Sequence, residues 1–257
     1  MIGAFRFNEI ESSSFNLVCK SVKRPLLPGV KVKRVDLPSA SGVYDFDDNE
    51  YSFRPLTMRI TYIGTSFEEL RSRARNIAAW LSTSTWGKLI INDEPDKYYL
   101  AKVTEQIDLS SVYEAGEAEV TFDCQPFAYS VDEVVTIFGA GIISLTNCNF
   151  NNPGTRIINY RSPQGSKSLI TIVGSWTTLS LALNGQILTY GAAVVNKTLI
   201  IDNIEMEAEL DTINVFSALG GDIDTFLQVL PGDNVLTIDG TGLNISAVTV
   251  DFIPLWI

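Results

Sequence analysis

The chain has 257 residues, which is long for one hydrophobic core and sufficient for two domains. It contains no histidine, so Ser-His-Asp or Cys-His catalysis, a histidine zinc site and a histidine pH switch are excluded. Its 19 basic and 30 acidic residues give a net charge of −11, which argues against a protein that grips nucleic acid. An acidic wall could still surround DNA without binding it.

The three cysteines, Cys19, Cys124 and Cys148, show neither a paired spacing nor a metal-binding pattern. An odd number of cysteines without such a framework fits folding in a reducing compartment. We expect these cysteines to act as small buried apolar residues. The longest mostly apolar run, residues 134–145, is too short to span a bilayer, so no membrane insertion is expected.

A cluster of basic residues follows a short first strand that contains Phe5 and Phe7. The basic residues are Lys20, Lys23, Arg24, Lys31, Lys33 and Arg34. Valines at positions 30, 32 and 35 alternate with the last of them, as on a half-exposed strand. Such a run is usually a solvated strand face. The alternative is a subunit interface that pairs with acidic residues of a neighbour.

The main helix is predicted to begin at residue 65 or 66 and to end near residue 81. Apolar residues recur there at helical spacing, namely Phe67, Leu70, Ala74, Ile77, Ala78 and Leu81. Either Thr65 with Glu68 or Ser66 with Glu69 could cap its start. The Ser-Thr-Ser-Thr run at 82–85 ends the helix, because these side chains compete for backbone hydrogen bonds. One helix packed on sheets is typical of an α+β domain.

Residues 97–109 and 118–124 are predicted to pair as a long β-hairpin whose tip lies between them. The second strand ends at Pro126, since proline cannot continue the pairing. We place the domain boundary near residue 132, which gives domains 1–132 and 133–257. The first domain holds fifteen of the 19 basic and nineteen of the 30 acidic residues, so the composition changes at this point.

The second half shows no stripe of helical length and is predicted to consist of short strands. They cover residues 169–173, 178–183, 186–189, 197–201, 205–210, 226–230, 234–238 and 245–252. The dipeptide Asn184-Gly185 between two of them is a strong signal for a hairpin turn. Short strands at regular spacing predict a β-sandwich of the jelly-roll type.

Two groups of residues in the second half suggest other functions. Trp176, Tyr190 and Trp256 could line a sugar-binding face and make the sandwich a carbohydrate-binding adhesin, although isolated aromatic residues usually pack in a core or interface. Glu205, Glu207 and Glu209 alternate along one strand, and carboxylate pairs can cleave glycosides. A solvent-facing strand explains the same pattern. We therefore predict no catalytic residue, metal ligand or cofactor, and no enzymatic activity.

Several segments, in this order and at this spacing, resemble the distal tail protein (Dit) family of long-tailed, non-contractile siphovirus bacteriophages. They are residues 5–8 (Phe-Arg-Phe-Asn), 13–15 (Ser-Ser-Phe), 75–81 (Arg-Asn-Ile-Ala-Ala-Trp-Leu), 93–101 (Asp-Glu-Pro-Asp-Lys-Tyr-Tyr-Leu-Ala), 122–127 (Phe-Asp-Cys-Gln-Pro-Phe) and 230–234 (Leu-Pro-Gly-Asp-Asn). The resemblance extends over nearly the whole chain.

This resemblance implies a mainly β protein of two parts. The N-terminal α+β domain would close into a homo-hexameric ring, and a galectin-like C-terminal β-sandwich would lie outside it. The ring would act as a hub at the distal end of the tail, with the tail tube protein above and a tail-tip or tail-associated fibre protein below. Phage DNA would pass through its channel at ejection without specific binding. The location would be the tip of the tail in the virion, after assembly in the bacterial host cytoplasm.

A ring of identical subunits needs complementary surfaces on each copy. The hairpin is a candidate arm that reaches a neighbour, and strand edges favour such contacts. The residues that we expect at the subunit interface are Lys31, Lys33 and Arg34 in the basic segment and Gln106, Asp108, Tyr113 and Glu117 in the hairpin.

Overall fold

The computed structural model describes residues 3–36, 41, 43–45, 50–63, 66–107, 109–112, 115–139 and 147–257, with the backbone alone at 35–36, 43–45 and 109–112. The chain divides into two compact units, Met1–Ala128 with Ile257, and Tyr129–Trp256. Both units are built mainly from antiparallel strands. Helix α1 (Phe67–Leu81) is the one α-helix among the described residues, so the predicted mainly β fold class with a single main helix is confirmed.

The first unit contains one large antiparallel sheet and one small sheet. Its strands are β1 (Phe5–Phe7), β2 (Ile10–Glu11), β3 (Leu17–Lys23), β4 (Arg34–Asp36), β5 (Val43–Asp45), β6 (Arg54–Ile63), β7 (Gly87–Ile91), β8 (Lys97–Val103), β9 (Leu109–Val112) and β10 (Ala115–Cys124). The order in the large sheet is β2-β1-β7-β8-β10-β6-β3, with β9 paired to β10. Strands β4 and β5 pair with each other.

Alternation of side chains explains why β6 and β10 form the middle of this sheet. In β6 every second residue is buried, from Arg54 through Leu56, Met58 and Ile60 to Tyr62. The ten residues of β10 pair with all ten of β6 and bury their own alternate positions. A period of two places one face of each strand in the core and the other toward solvent.

Helix α1 begins at the second of the two predicted caps. The Ser66 Oγ accepts a hydrogen bond from the Glu69 backbone N–H at 3.2 Å, and the Glu69 carboxylate forms an ion pair with Arg73 at 2.6 Å. Acidic residues in the first turn also favour the positive end of the helix dipole. Ser82 follows the last helical residue, as predicted. Among the described residues no helix is both long and apolar enough to cross a membrane.

The buried face of α1 differs from the predicted stripe. Leu70, Ile77 and Leu81 are buried as expected, but Phe67 is 55% exposed and Trp80 is buried instead. The Trp80 ring stacks on Phe5 and Phe15 at centroid distances of 5.6 and 4.8 Å. Its indole N–H donates to the Phe7 carbonyl at 3.1 Å. These partners are distant in sequence, which is why helical spacing alone missed them.

The predicted hairpin is present in an interrupted form. Strand β8 ends at Val103 and pairs with β10 only through its last three residues, opposite Phe122–Cys124. Strand β9 then pairs with the start of β10, from Ala115 to Ala118. Strand β10 is thus bonded to β6 along its whole length and, on its other side, to β9 at its start and to β8 at its end.

The second unit is a β-sandwich. The strands from the unit boundary onward are β11 (Ala128–Ser130), β12 (Val134–Phe138), β13 (Asn147–Asn152), β14 (Ser168–Trp176), β15 (Thr178–Leu183), β16 (Gln186–Tyr190), β17 (Val194–Asp202), β18 (Glu207–Leu210), β19 (Ile213–Asn214), β20 (Leu219–Gly221), β21 (Gly232–Thr241), β22 (Asn244–Phe252) and β23 (Leu255–Trp256). One sheet has the order β12-β22-β14-β17-β18-β19 and the other β13-β21-β15-β16-β20, while β11 pairs with β23.

Side chains from the two sheets meet in one core. Phe150 of β13 lies 5.8 Å from Phe252 of β22, and Trp176 of β14 lies 6.2 Å from Tyr190 of β16, measured between ring centroids. Sheets that bury one face against each other form a sandwich, so this prediction is confirmed. The predicted strand at 226–230 is wrong: this segment contributes only an isolated bridge between Val229 and Ile158.

Candidate assembly surfaces

The basic segment is exposed but is not the regular strand that the alternation predicted. Val30 forms an isolated bridge with Tyr51, and regular pairing begins only at Arg34, the first residue of β4. The ammonium of Lys31 lies 3.0 Å from the Glu50 carboxylate, and both side chains are more than half exposed. Lys33 is exposed as well. Lys31 therefore already has a partner within its own chain, through an ion pair that water screens strongly.

A loop with exposed apolar side chains precedes this segment. Leu26 is 87% exposed and Leu27 is 60% exposed. The side chain of Arg54, which is 5% exposed, donates hydrogen bonds to the carbonyls of Pro25 at 2.7 Å and Leu26 at 3.3 Å. A guanidinium can hold two backbone carbonyls at once because its donors lie in a fixed plane. The loop is thus tied to the first residue of β6.

The candidate interface residues of the hairpin lie in different settings. Gln106 is exposed between β8 and β9. Asp108 and Tyr113 lie outside the described residues. Glu117 is in β10, where its carboxylate contacts Arg59 at 2.6 Å and Lys20 at 3.3 Å. The structure therefore joins two basic residues of the early cluster to the hairpin, since Lys20 contacts Glu117 and Lys23 contacts Glu119.

The Glu117 cluster lies on the sheet face opposite the core. Hydrogen bonds from Arg59 hold the pKa of the Glu117 carboxyl below its ordinary value, and Lys20 adds to this. The same contact raises the pKa of Arg59. Nearby, Lys23 pairs with Glu119 at 3.5 Å. The face thus presents charges that are largely compensated within one chain.

An open apolar concavity lies between α1 and the core face of the sheet. Its volume is about 260 Å³. It is lined by Ile60 and Tyr62 of β6, Ala74, Arg75, Ile77, Ala78 and Leu81 of α1, Ile107 of the hairpin, and Ala118 and Val120 of β10. Alanines on both walls create the space, because a larger side chain would fill it.

Tyr62 has an unusual environment at this concavity. Tyr62 is 2% exposed, and its hydroxyl has no hydrogen-bond partner among the described residues. The ring lies against Gly116, where an added Cβ would come within 2.4 Å of the Tyr62 Cζ atom. Glycine at 116 therefore permits the ring position. A buried hydroxyl without a hydrogen-bond partner lowers the stability of the fold.

The three cysteine thiols lie in environments that make them poor nucleophiles. Cys19, Cys124 and Cys148 are buried free thiols, and burial raises the pKa of all three, that of Cys148 to about 11. A protonated thiol is a poor nucleophile at neutral pH. No group of three potential metal-ligating His, Cys, Asp or Glu side chains occurs within the described ranges.

The glutamates and aromatic residues of the sandwich fit structural roles. Glu205 lies in a turn and Glu207 begins β18; both are exposed, so the predicted strand starts two residues late. Trp176 is 2% exposed and Tyr190 is 5% exposed, and they pack edge to face. Their burial removes them from any sugar-binding face.

Sequence reasoning missed the exposed leucines, the role of Arg54 and the concavity. The apolar pair Leu26-Leu27 between two prolines was a visible signal, because adjacent apolar residues in an exposed loop mark a candidate contact surface. The concavity left no sequence signal, since helix and sheet residues line it together.

Two comparisons place this architecture among known proteins. Residues 10–124 match the model of the family described as the phage tail protein RIFT-related domain. The SPP1 Dit (gp 19.1) protein has a crystal structure with a similar fold, at a TM-score of 0.74 and 13% sequence identity, covering 99% of both chains. That protein is described as a paradigm of the hub adsorption apparatus in phages that infect Gram-positive bacteria. No curated protein matches the sequence at a significant level.

The family match lies within the first unit, and the likeness of fold includes the sandwich as well. Together they confirm the resemblance that the sequence suggested. Residues 10–124 therefore match the phage tail protein RIFT-related domain family, and the chain as a whole has a fold similar to that of the SPP1 Dit protein.

Proposed function

We propose that the chain forms a homo-hexameric ring at the distal end of a siphophage tail tube. The ring would be a hub that joins the tail tube protein above to a tail-tip or tail-associated fibre protein below. The observation that carries this proposal is the likeness of fold, over 99% of both chains, to a protein described as a paradigm of hub adsorption apparatus. In this proposal residues 1–132 close the ring and residues 133–257 form an outer domain.

The surfaces of the first unit support an assembling role. They combine an exposed apolar loop, an open apolar concavity and a sheet face with compensated charges. Apolar surface that stays exposed in a single chain is typical of protein interfaces. In this proposal Lys31, Lys33, Arg34, Gln106, Asp108, Tyr113 and Glu117 contribute to subunit contacts.

The role of the ring is structural, and it leaves a channel through which DNA passes during ejection. The net charge of −11 suits this passage, because an acidic protein does not retain a phosphate backbone. No step of the proposal requires a bond to be broken or a cofactor to be bound. The protein would be a virion component at the tail tip, assembled in the host cytoplasm.

Electron microscopy of the purified chain tests this proposal. We expect annular particles with six-fold symmetry and a central hole. Small particles without a central hole at every protein concentration tested would contradict the ring. Labelling of virions with an antibody against the chain should mark the end of the tail distal to the head, and a label elsewhere would contradict the proposed location.

A further inference from the structure

The loop at residues 25–28 presents its leucines in a fixed conformation. Arg54 binds the carbonyls of Pro25 and Leu26, and the Ser52 backbone N–H donates to the Gly29 carbonyl at 2.7 Å. Prolines at both ends of the loop restrict its backbone further. A loop that is ordered before binding loses little conformational entropy on docking.

The concavity under α1 has the right size and chemistry for these side chains. An apolar cavity of about 150 Å³ can hold benzene, which has six carbon atoms. The concavity measures about 260 Å³, and two leucine side chains contain eight carbons. Its walls at Ile60, Ile77 and Leu81 are aliphatic.

The loop cannot reach the concavity of its own chain. Arg54, which holds the loop, is the first residue of β6, while Ile60 and Tyr62 border the concavity near the other end of the same strand. Eight residues of a strand separate Arg54 from Tyr62 by roughly 26 Å. Because β6 is bonded to neighbours on both sides, it cannot fold back to join the two surfaces.

A contact between these surfaces therefore joins different copies. It is a head-to-tail contact, because the surface that one copy offers differs from the surface that it meets on the next. Such contacts generate closed rings when the rotation between copies closes, and otherwise filaments. The geometry of the contact thus agrees with a ring of identical chains.

We propose that Leu26 and Leu27 of one copy dock into the concavity between α1 and β6 of the next copy. This inference rests on the proposed ring and names the contact that closes it. The occupant is a second copy of this chain, because the chain carries both the apolar projection and a matching apolar recess at opposite ends of one strand.

Cysteine cross-linking of the full chain tests the contact. The three native cysteines are 0% exposed, so an added exposed cysteine reacts selectively. A Leu27→Cys, Arg75→Cys double variant, which keeps Leu26 and places the second cysteine at an exposed position on the rim of the concavity, should give a ladder of products up to six copies on a denaturing gel after treatment with a short bis-maleimide. A mixture of the two single variants should give covalent dimers only. Each single variant alone should give no cross-linked product and should run on the gel at the mass of one chain.

A matched control pairs Arg75→Cys with Val195→Cys, which lies on the second unit and is 74% exposed. This pair should give no ladder. A ladder as strong as that of the Leu27 pair would overturn the proposal, because it would report random collisions.

Substitution of the leucines gives an independent measurement. Leu26→Ser, Leu27→Ser should raise the concentration at which half of the chains are assembled by about 100-fold, because apolar burial is lost. The exposed positions leave the fold intact, which the thermal midpoint checks. Val195→Ser should leave assembly unchanged. An unchanged assembly of the leucine variant would overturn the proposal.

The mass of the unmodified chain separates failure of this contact from failure of the ring. If the unmodified chain is assembled but the cysteines at positions 27 and 75 do not cross-link, the docking proposal alone is wrong. If the unmodified chain remains monomeric throughout, both the ring and the contact are wrong.

Discussion

The guanidinium of Arg54 is 5% exposed and connects the start of β6 to the loop that carries the exposed leucines. Its Cζ atom also lies 5.7 Å from the centroid of the Tyr99 ring. Its Nε and Nη2 atoms both donate hydrogen bonds to the Pro25 carbonyl, so a side chain supplies the hydrogen bonds that a neighbouring strand would supply in a sheet. A buried cation of this kind has to be matched by acceptors, because its desolvation is costly.

Replacing Arg54 with lysine should therefore destabilise the first unit. Lysine cannot reproduce the planar double donation, so at least one loop carbonyl loses its partner. We expect a loss of about 1–3 kcal/mol in the free energy of unfolding, measured with urea. Amide hydrogen exchange should also accelerate at residues 26–29. Arg59→Lys, at an exposed ion pair, is the control and should change little. Equal effects of both substitutions would contradict the role given to Arg54.

Glu117 predicts a dependence of stability on pH. Because Arg59 and Lys20 lower the pKa of its carboxyl in the folded state, its contribution is complete above the unfolded-state pKa of about 4.3. That contribution is lost as the pH falls through the folded-state pKa. Glu117→Gln should therefore lower stability near neutral pH and flatten its decline in acid.

Urea unfolding at a series of pH values measures this effect. The difference between the unmodified chain and Glu117→Gln should shrink in acid, and also at high salt, because the ion pair is exposed. Asp211, whose pKa Lys197 lowers in the second unit, provides a matched comparison through Asp211→Asn. A constant difference for Glu117→Gln across the acid range would show that the ion pair contributes nothing.

At the scale of elements, the turn between β15 and β16 illustrates local control of structure. Asn184 and Gly185 have φ values of +51° and +89°, and the flanking residues Leu183 and Gln186 pair directly. A two-residue turn with two positive φ angles matches the right-handed twist of the strands. Glycine and asparagine tolerate this conformation best.

Gly185→Ala should destabilise the chain by roughly 1–2 kcal/mol, because alanine is strained at a positive φ. Gly191→Ala is the control: its Cβ would have nothing within 4 Å, and its backbone is not in the left-handed region. Thermal and urea unfolding measure both variants. A loss for Gly191→Ala as large as that for Gly185→Ala would contradict the assignment of strain to the turn.

Local signals in the sequence predicted the elements that depend on neighbouring residues. Helix α1 with its Ser66 cap, the turn at Asn184-Gly185 and most sandwich strands agree with the structure. The predictions failed where distant residues decide the outcome. Trp80 is buried by Phe5 and Phe15, and the strand expected at 226–230 has only one bridge to a distant partner.

The same distinction explains how much of the candidate assembly surface could be predicted. The basic segment was visible in the sequence, but the ion pairs of Lys31 with Glu50 and of Glu117 with Arg59 required strand pairing that spacing cannot provide. The concavity depends on two strands, a helix and the segment before β9, which meet around small side chains. A pattern along one element cannot reveal a surface that several elements share.

At the scale of the whole molecule, the two units differ in what they offer to other proteins. The first carries most of the charged residues, the exposed leucines and the concavity. The second is a sandwich in which the aromatic residues Trp176 and Tyr190 are buried in the core. This difference is the reason why we propose the subunit contacts on the first unit.

We propose that identical chains associate through the first unit into a closed ring. Native mass spectrometry of the purified protein tests this association. A six-membered ring should give a dominant species at six times the 28.3 kDa chain mass, without a continuous series of larger species. A single species at the mass of one chain, or an open-ended series of sizes, would contradict it.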